Sequence, residues 1–224
     1  MLEEKITNLK KNLVEFAGLI ENMLDWSIKG LTQKDRELLN EVIKNLEPKA
    51  NHFEIAIEEM CINIIAQYAP KGKDLRIILM VLEMNKDMER AGDHTVNIAQ
   101  SGLYLIEKPL VKQFIDLPKM TEITKQMFSE SINSFVNENT HLAKSVCEKD
   151  ELVDNLGESI LKEAISLMSS DSSTVETDLH FIRISHNLER ISDISTNISE
   201  NVIYLTAGKV IKHHIQNSEN SDFD

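Results

Sequence analysis

Proline and glycine are scarce in this chain of 224 residues, with four and seven respectively. So few breakers exclude a loop-rich fold and leave room for long helices. Aromatic residues make up 5%, too few for a β-sandwich or barrel, whose strands are enriched in Tyr, Phe and Trp. The two cysteines, Cys61 and Cys147, stand far apart and form no CxxC, which reads as reduced thiols and not as a disulfide frame. No run of about 20 apolar residues is present, and the opening segment MLEEKITNLKKNLVEF has none of signal-peptide length. The expected location is therefore the cytoplasm, with no membrane insertion. Positive charge is also in deficit, 24 Lys and Arg against 37 Asp and Glu, a net charge of -13. That weighs against nucleic acid, whose phosphates demand clustered cations, and against anionic lipid surfaces. Walker A, GxGxxG and GxSxG patterns are missing as well, so nucleotide binding and serine-type nucleophilic catalysis lack support.

What is present is a long-period repeat. Residues 89–105, ERAGDHTVNIAQSGLYL, return as ERISDISTNISENVIYL at 189–205. Glu89/Glu189, Arg90/Arg190, Asp93/Asp193, Asn97/Asn197, Ile98/Ile198, Tyr104/Tyr204 and Leu105/Leu205 recur one hundred residues apart. A period near half the chain predicts two copies of one structural unit.

Apolar spacing predicts the elements. Ile6, Leu9, Leu13, Phe16, Ile20 and Leu24 mark a first helix over 3–30, with a break at 29–34 around Gly30. Asp35 is a candidate N-cap for a second helix running through Leu39, Val42, Leu46, Ala50, Phe53, Ile57, Met60 and Ile64, with a kink or restart at Pro48. After the 69–72 break, Asp74 is placed to cap a third helix along Ile77, Val81, Met84, Met88, Ala91, Thr95, Ile98, Gly102 and Leu105. Met80, Met84 and Met88 read as core filler. The second half repeats the plan with helices over about 119–137, 140–168 and 174–212. The expected fold is all-α, six helices in two tandem antiparallel three-helix bundles related by the internal repeat. The bounds are 1–107 for the first repeat, 108–118 for a connector, 119–216 for the second repeat and 217–224 for a disordered acidic tail. For Trp26 the sequence leaves packing and partner anchoring open.

The repeated acids fall off the core stripe. At about 100° per residue from Met88, with the core near about -30°, Glu89 lies near about 100° and Asp93 near about 140°. Arg90 and Asn97 follow at roughly 200° and 180°, so these residues form an outer polar strip. Glu189, Asp193 and Asn197 repeat it. On the preceding helices Glu47, Asn51, Glu54 and Glu58 form one row, and Asp150 and Asp154 hold the same relation to the stripe in the second half. Carboxylates at i and i+4 on two facing helices supply hard oxygen ligands suited to magnesium, manganese, calcium or iron. Arg90 and Arg190 are the metal-free alternative for balancing them.

At these residues the chain resembles the PhoU family of phosphate-uptake and phosphate-signalling regulators. The resemblance rests on Glu-Arg-x-x-Asp followed by Asn-Ile at Glu89–Ile98 and Glu189–Ile198, with His94 after the first Asp and Ile194 after the second. It extends to Pro70 followed by Asp74-Leu75-Arg76 and to the closing stretch from Gly208 to His213. It implies a six-helix fold and metal sites of paired acids: Asp150, Asp154, Glu189 and Asp193 in the second half, and Glu47, Glu89 and Asp93 in the first. Asn51 stands where the pattern has an acid, and Pro48 lies between the two positions. The implied metals are iron, zinc, manganese or magnesium. The implied role is that of a non-enzymatic, cytoplasmic negative regulator contacting the phosphate ABC transporter ATPase subunit and a phosphate sensor histidine kinase, with a homodimer compatible.

Two other readings compete. A di-iron carboxylate enzyme places Glu ligands inside a bundle with two Glu-x-x-His motifs, whereas only Glu138-x-x-His141 occurs here and the repeated acids face outward. A metal-free helical adaptor would tolerate alanine at the repeated acids. His213 and His214 read as solvated surface residues.

Overall fold

Six helices carry the described chain, residues 1–108 and 116–207 of the computed structural model. Helix α1 spans Leu2–Gln33, and α2 is assembled from Arg36–Glu41, a π-helical stretch Val42–Leu46 and Glu47–Tyr68. Helix α3 spans Gly72–Leu105, α4 Asp116–Val136 and α5 Thr140–Ser170. A 3₁₀ turn at Ser172–Thr174 leads into α6, Val175–Ala207. The expected connector centre, the end of the last helix beyond 207, the Gly208–His213 stretch with its histidines and the acidic tail lie outside the described residues.

Several expected boundaries move, each for a local reason. Gly30 does not break α1. The helix runs on to Gln33, where Lys34 takes the left-handed cap at φ 55°. Gly30 is instead a point of close approach, since a Cβ there would lie 2.6 Å from Leu39. Asp35 caps α2 as expected, accepting from the Glu37 and Leu38 amides. Pro48 deforms the helix one turn earlier than its own position. Its ring crowds the carbonyl of residue 44, and the π stretch absorbs the mismatch before Glu47 restarts regular helix with proline in its first turn. Asp74 is not the cap of α3. Gly72 enters the helix at φ +58°, a conformation that favours glycine, and Lys71 takes the cap position. Asp74 falls in the first turn, where a carboxylate complements the helix dipole. Pro118, expected in the connector, also sits in a first turn, because α4 begins at Asp116.

Helices α1, α2 and α3 pack as one bundle and α4, α5 and α6 as a second. The bundles are not merely tandem. Helix α3 packs along α6 and α1 touches α4, so the buried residues of both halves form one continuous core. Ala91 and Ile191, repeat-related and both fully buried, belong to it, as do Met80, Met84 and Met88. Trp26 packs against its edge. Polar contacts fix the antiparallel register of α3 and α6. His94 Nδ1 and Asn187 Oδ1 are 2.9 Å apart, the Tyr104 and His180 rings stack at 4.1 Å, and the Tyr104 hydroxyl donates to Glu176. The repeated tyrosines therefore diverge, since Tyr204 is exposed. This seam places the two acidic strips on either side of a shared central pair of helices.

Candidate functional site

In the second half the structure brings the four expected acids to one groove between α5 and α6. Desolvation, and then the charges of Asp150, Glu189, Asp193 and Glu151, push the Asp154 carboxyl above its ordinary range. Ser192 Oγ donates to Asp150 Oδ1 at 2.8 Å, which orients that carboxylate from the facing helix. Gly157 leaves room for Glu189, whose Oε2 would stand 3.4 Å from a Cβ at that position. Arg190 donates to Asp193 Oδ2 at 3.0 Å, so the expected arginine counter-charge is in place here. Cys147, Glu148, Asp150, Glu151 and Asp154 line the α5 side of the groove.

The first half assembles a different set. Burial, followed by Asp93 and Glu54, raises the Glu89 carboxyl, and Arg90 opposes the shift. Glu54, and not Glu47, therefore faces Glu89 and Asp93. The axial register of α2 on α3 explains this. Asn85 Nδ2 donates to the Glu54 carbonyl at 2.8 Å, and a Cβ on Gly92 would lie 3.9 Å from Ala50. Ala50 thus faces Gly92 as Asp150 faces Ser192, and the hundred-residue offset pairs Glu54 with Asp154. Glu47 lies about 10 Å further along the helix and corresponds to Cys147, while Asn51 corresponds to Glu151. The signal that could have found Glu54 was in the repeat itself, which holds the same offset on both helices. Arg90 also departs from its twin, donating to Asp87 at 3.2 Å and not to Asp93. His94 is held at the α3–α6 seam by Asn187, and burial lowers its pKa.

Oxygen-rich donors on facing helices fit a hard or borderline divalent cation. Among the described residues, however, no group of three or more His, Cys, Asp or Glu side chains closes on a common centre as it stands. Burial first, and then the neighbouring carboxylates, hold Asp154 above its ordinary range, so gathering these acids is unfavourable without a counter-charge. A raised folded-state pKa means that the native state favours the protonated acid. The stability contributed by Asp154 is complete at low pH and is lost as pH rises through the raised value. Asp154→Asn is therefore expected to raise the melting temperature near pH 7 in cation-free buffer. The gain should vanish below about pH 4, and a melting series across that range checks it.

The alternative enzyme motif has no place in the bundle interior. Glu138 lies in the α4–α5 turn at φ 49°, paired with Lys73 at 2.7 Å and Lys10 at 3.7 Å, and His141 is exposed. No helix among the described residues is long and apolar enough to cross a membrane.

The profile of the PhoU domain matches residues 13–102 and 117–202, one match per half. The phosphate-specific transport system accessory protein PhoU homolog of Aquifex aeolicus is 34% identical over 216 residues, spanning 96% of this chain and 97% of that protein. The homolog from Deinococcus radiodurans is 28% identical over 92% of this chain and 97% of its own length. The crystal structure of PhoU from Pseudomonas aeruginosa superposes with a TM-score of 0.89 at 27% identity, covering 93% of this chain and all of that one. The phosphate transport system regulatory protein PhoU from Streptococcus pneumoniae gives 0.87 at 26% identity, over 95% of this chain and 100% of that structure.

Proposed function

The chain belongs to the PhoU family, and on that premise we propose that it is an accessory regulator of phosphate transport that works by protein contact. Its relatives carry the name of phosphate-specific transport accessory proteins. The finer reading is a negative regulator of phosphate uptake and of the phosphate-starvation response. It docks on the phosphate ABC transporter ATPase subunit and on a sensor histidine kinase. The observation that carries this reading is the pair of acidic clusters on either side of the α3–α6 seam. Packing alone does not require acids to gather beside Asp154 and Glu89, so their repetition points to a surface kept for binding.

Within that reading, Asp150, Asp154, Glu189 and Asp193 would hold a divalent metal, and in the first half Glu54, Glu89 and Asp93 would do so. A cation there would supply positive charge to neutralise the carboxylates and to attract an anionic group of a partner. The chain's own residues orient the acids: Ser192 holds Asp150, and Arg190 holds Asp193.

The test is a quantitative pull-down from host membranes grown in abundant phosphate. Wild type is compared with Glu89→Ala/Asp93→Ala/Glu189→Ala/Asp193→Ala, with helicity measured in parallel. Recovery of the transporter ATPase or the kinase by wild type alone supports the grooves as the working surface. Recovery by both keeps the regulator and favours the metal-free adaptor. Recovery by neither overturns the partner assignment.

A further inference from the structure

Beyond the acids, the outer face that α5 and α6 share turns apolar. At about 100° per residue, Leu161 and Ile165 fall within about 20° of Asp154 around α5. Around α6, Ile182 falls within about 20° of Glu189, and Leu179 within about 40° of Asp193. The register of the two helices is fixed beside the acids. Ser192 meets Asp150 at 2.8 Å, and a Cβ on Gly157 would stand 3.6 Å from Ser185 Oγ. Continued along the pair, that antiparallel register sets Leu161 opposite Ile182 and Ile165 opposite Leu179. Leu161, Ile165 and Leu179 are 41%, 51% and 48% exposed, and Met168 and Ile182 lie half-buried against the core beside them. Single exposed apolar residues are ordinary on a protein surface, whereas a contiguous patch marks a contact. This one also returns. Ile65, Leu79 and Leu82 stand one hundred residues before Ile165, Leu179 and Ile182, and Leu79 is again exposed.

We propose that this α5–α6 face docks a cationic amphipathic helix of a partner protein. Leu161 follows Asp154 by seven residues, and Ile182 precedes Glu189 by seven, so the apolar and acidic parts are centred about 10 Å apart. A partner helix laid along the face meets both with apolar side chains on one stretch and Lys or Arg two turns away on the same side. From Met168 to Asp150 the face runs about 27 Å, room for a helix of about 18 residues. Charge decides against other occupants. A second copy of the chain brings a further net charge of -13, and an anionic bilayer meets the same carboxylates, so both are repelled. The proposal rests on the protein-contact reading above, in its metal-free form, and adds the chemistry of the partner. The second half is the stronger copy. In the first half the fully buried Cys61 stands at the place of Leu161, and the exposed Lys86, at the place of His186, sets a cation between Leu82 and Glu89. One tight site per chain is therefore expected.

The probe is a fluorescein-labelled designed peptide of about 18 residues, with leucines on one half of a helical face and lysines on the other half of the same face. Its binding to the full-length chain is read by anisotropy in chelator, because a bound metal and a cationic peptide contend for the same acids. Wild type should bind it, and a scrambled peptide of equal composition should bind at least about tenfold more weakly. Ile165→Ser/Leu179→Ser should weaken binding by a similar factor with unchanged helicity, whereas Ile65→Ser/Leu79→Ser should leave most of it. Glu189→Gln/Asp193→Gln should weaken binding and flatten its salt dependence. Equal binding of the scrambled peptide, no binding by wild type, or full binding by Ile165→Ser/Leu179→Ser overturns the proposal. So does a wild-type dimer in sedimentation that the same variant breaks, which assigns the face to a second copy of the chain. The pull-down judges the contact-regulator reading separately. Peptide binding without recovery of the transporter ATPase or the kinase keeps the docking face and overturns those partners. Recovery by wild type and by Ile165→Ser/Leu179→Ser alike keeps the regulator and overturns the docking face.

Discussion

Zinc or manganese at about a hundred times its dissociation constant should stabilise the protein by about 3 kcal/mol. For a chain of this length that is a rise in melting temperature of about 5–10 °C. The second half should supply most of it. Four carboxylates lie on the facing sides of α5 and α6, and Asp154 already registers the charge of the other three. Asp150→Ala/Glu189→Ala is therefore expected to abolish most of the shift. Glu89→Ala/Asp93→Ala should leave most of it, because only Glu54 joins that pair from α2. One opposing term is visible, since Arg190 must loosen its 3.0 Å bond to Asp193 before that carboxylate turns to a cation. Exposed pairs of this kind contribute at most about 1 kcal/mol, less than the expected gain. Melting curves with chelator and with each cation read this directly. Equal curves would make bound metal incidental to the fold.

Leu39→Ala should cost about 2–5 kcal/mol. Leu39 is fully buried where α1, α2 and α3 converge. A Cβ on Gly30 would lie 2.6 Å from it, and one on Gly102 3.1 Å. The side chain thus fills a space that two helices leave open by carrying glycine. Gly30→Ala alone should cost about 1–3 kcal/mol by overpacking. In the Leu39→Ala background the added methyl has somewhere to go, so the double variant should be more stable than the sum of the two losses predicts. The coupling should be about 1–3 kcal/mol. It stays below full compensation because the Asp35 carbonyl also stands 3.1 Å from the new Cβ. Urea unfolding of the four proteins measures it, and simple additivity would show that the contact does not set the packing.

These two sites were unequally legible in the sequence. Leu39 could be assigned to a core stripe by periodicity, but its two glycine neighbours could not. Gly30 by itself reads as a helix end, and only the approach of α2 shows it to be a gap for a partner's side chain. Asp150, Asp154, Glu189 and Asp193 were legible as a group because an i,i+4 pair on each of two adjacent helices restricts which faces meet. Glu47 was the harder choice. It shares a row with Glu54, and periodicity treats residues one heptad apart as equivalent.

The sequence by itself determined the class, the number of units and the faces. Scarce breakers, heptad-spaced apolar residues and a hundred-residue repeat leave little but two copies of a three-helix unit with acids outside the core. Tertiary structure decided the register of α2 on α3, the union of the bundles along α3 and α6, and the separate fates of Tyr104 and Tyr204. The physical reason is that a residue's angle about its helix axis follows from its position in the chain. Its height against a neighbouring helix depends on which side chains interlock, and that is set only when both surfaces are present together.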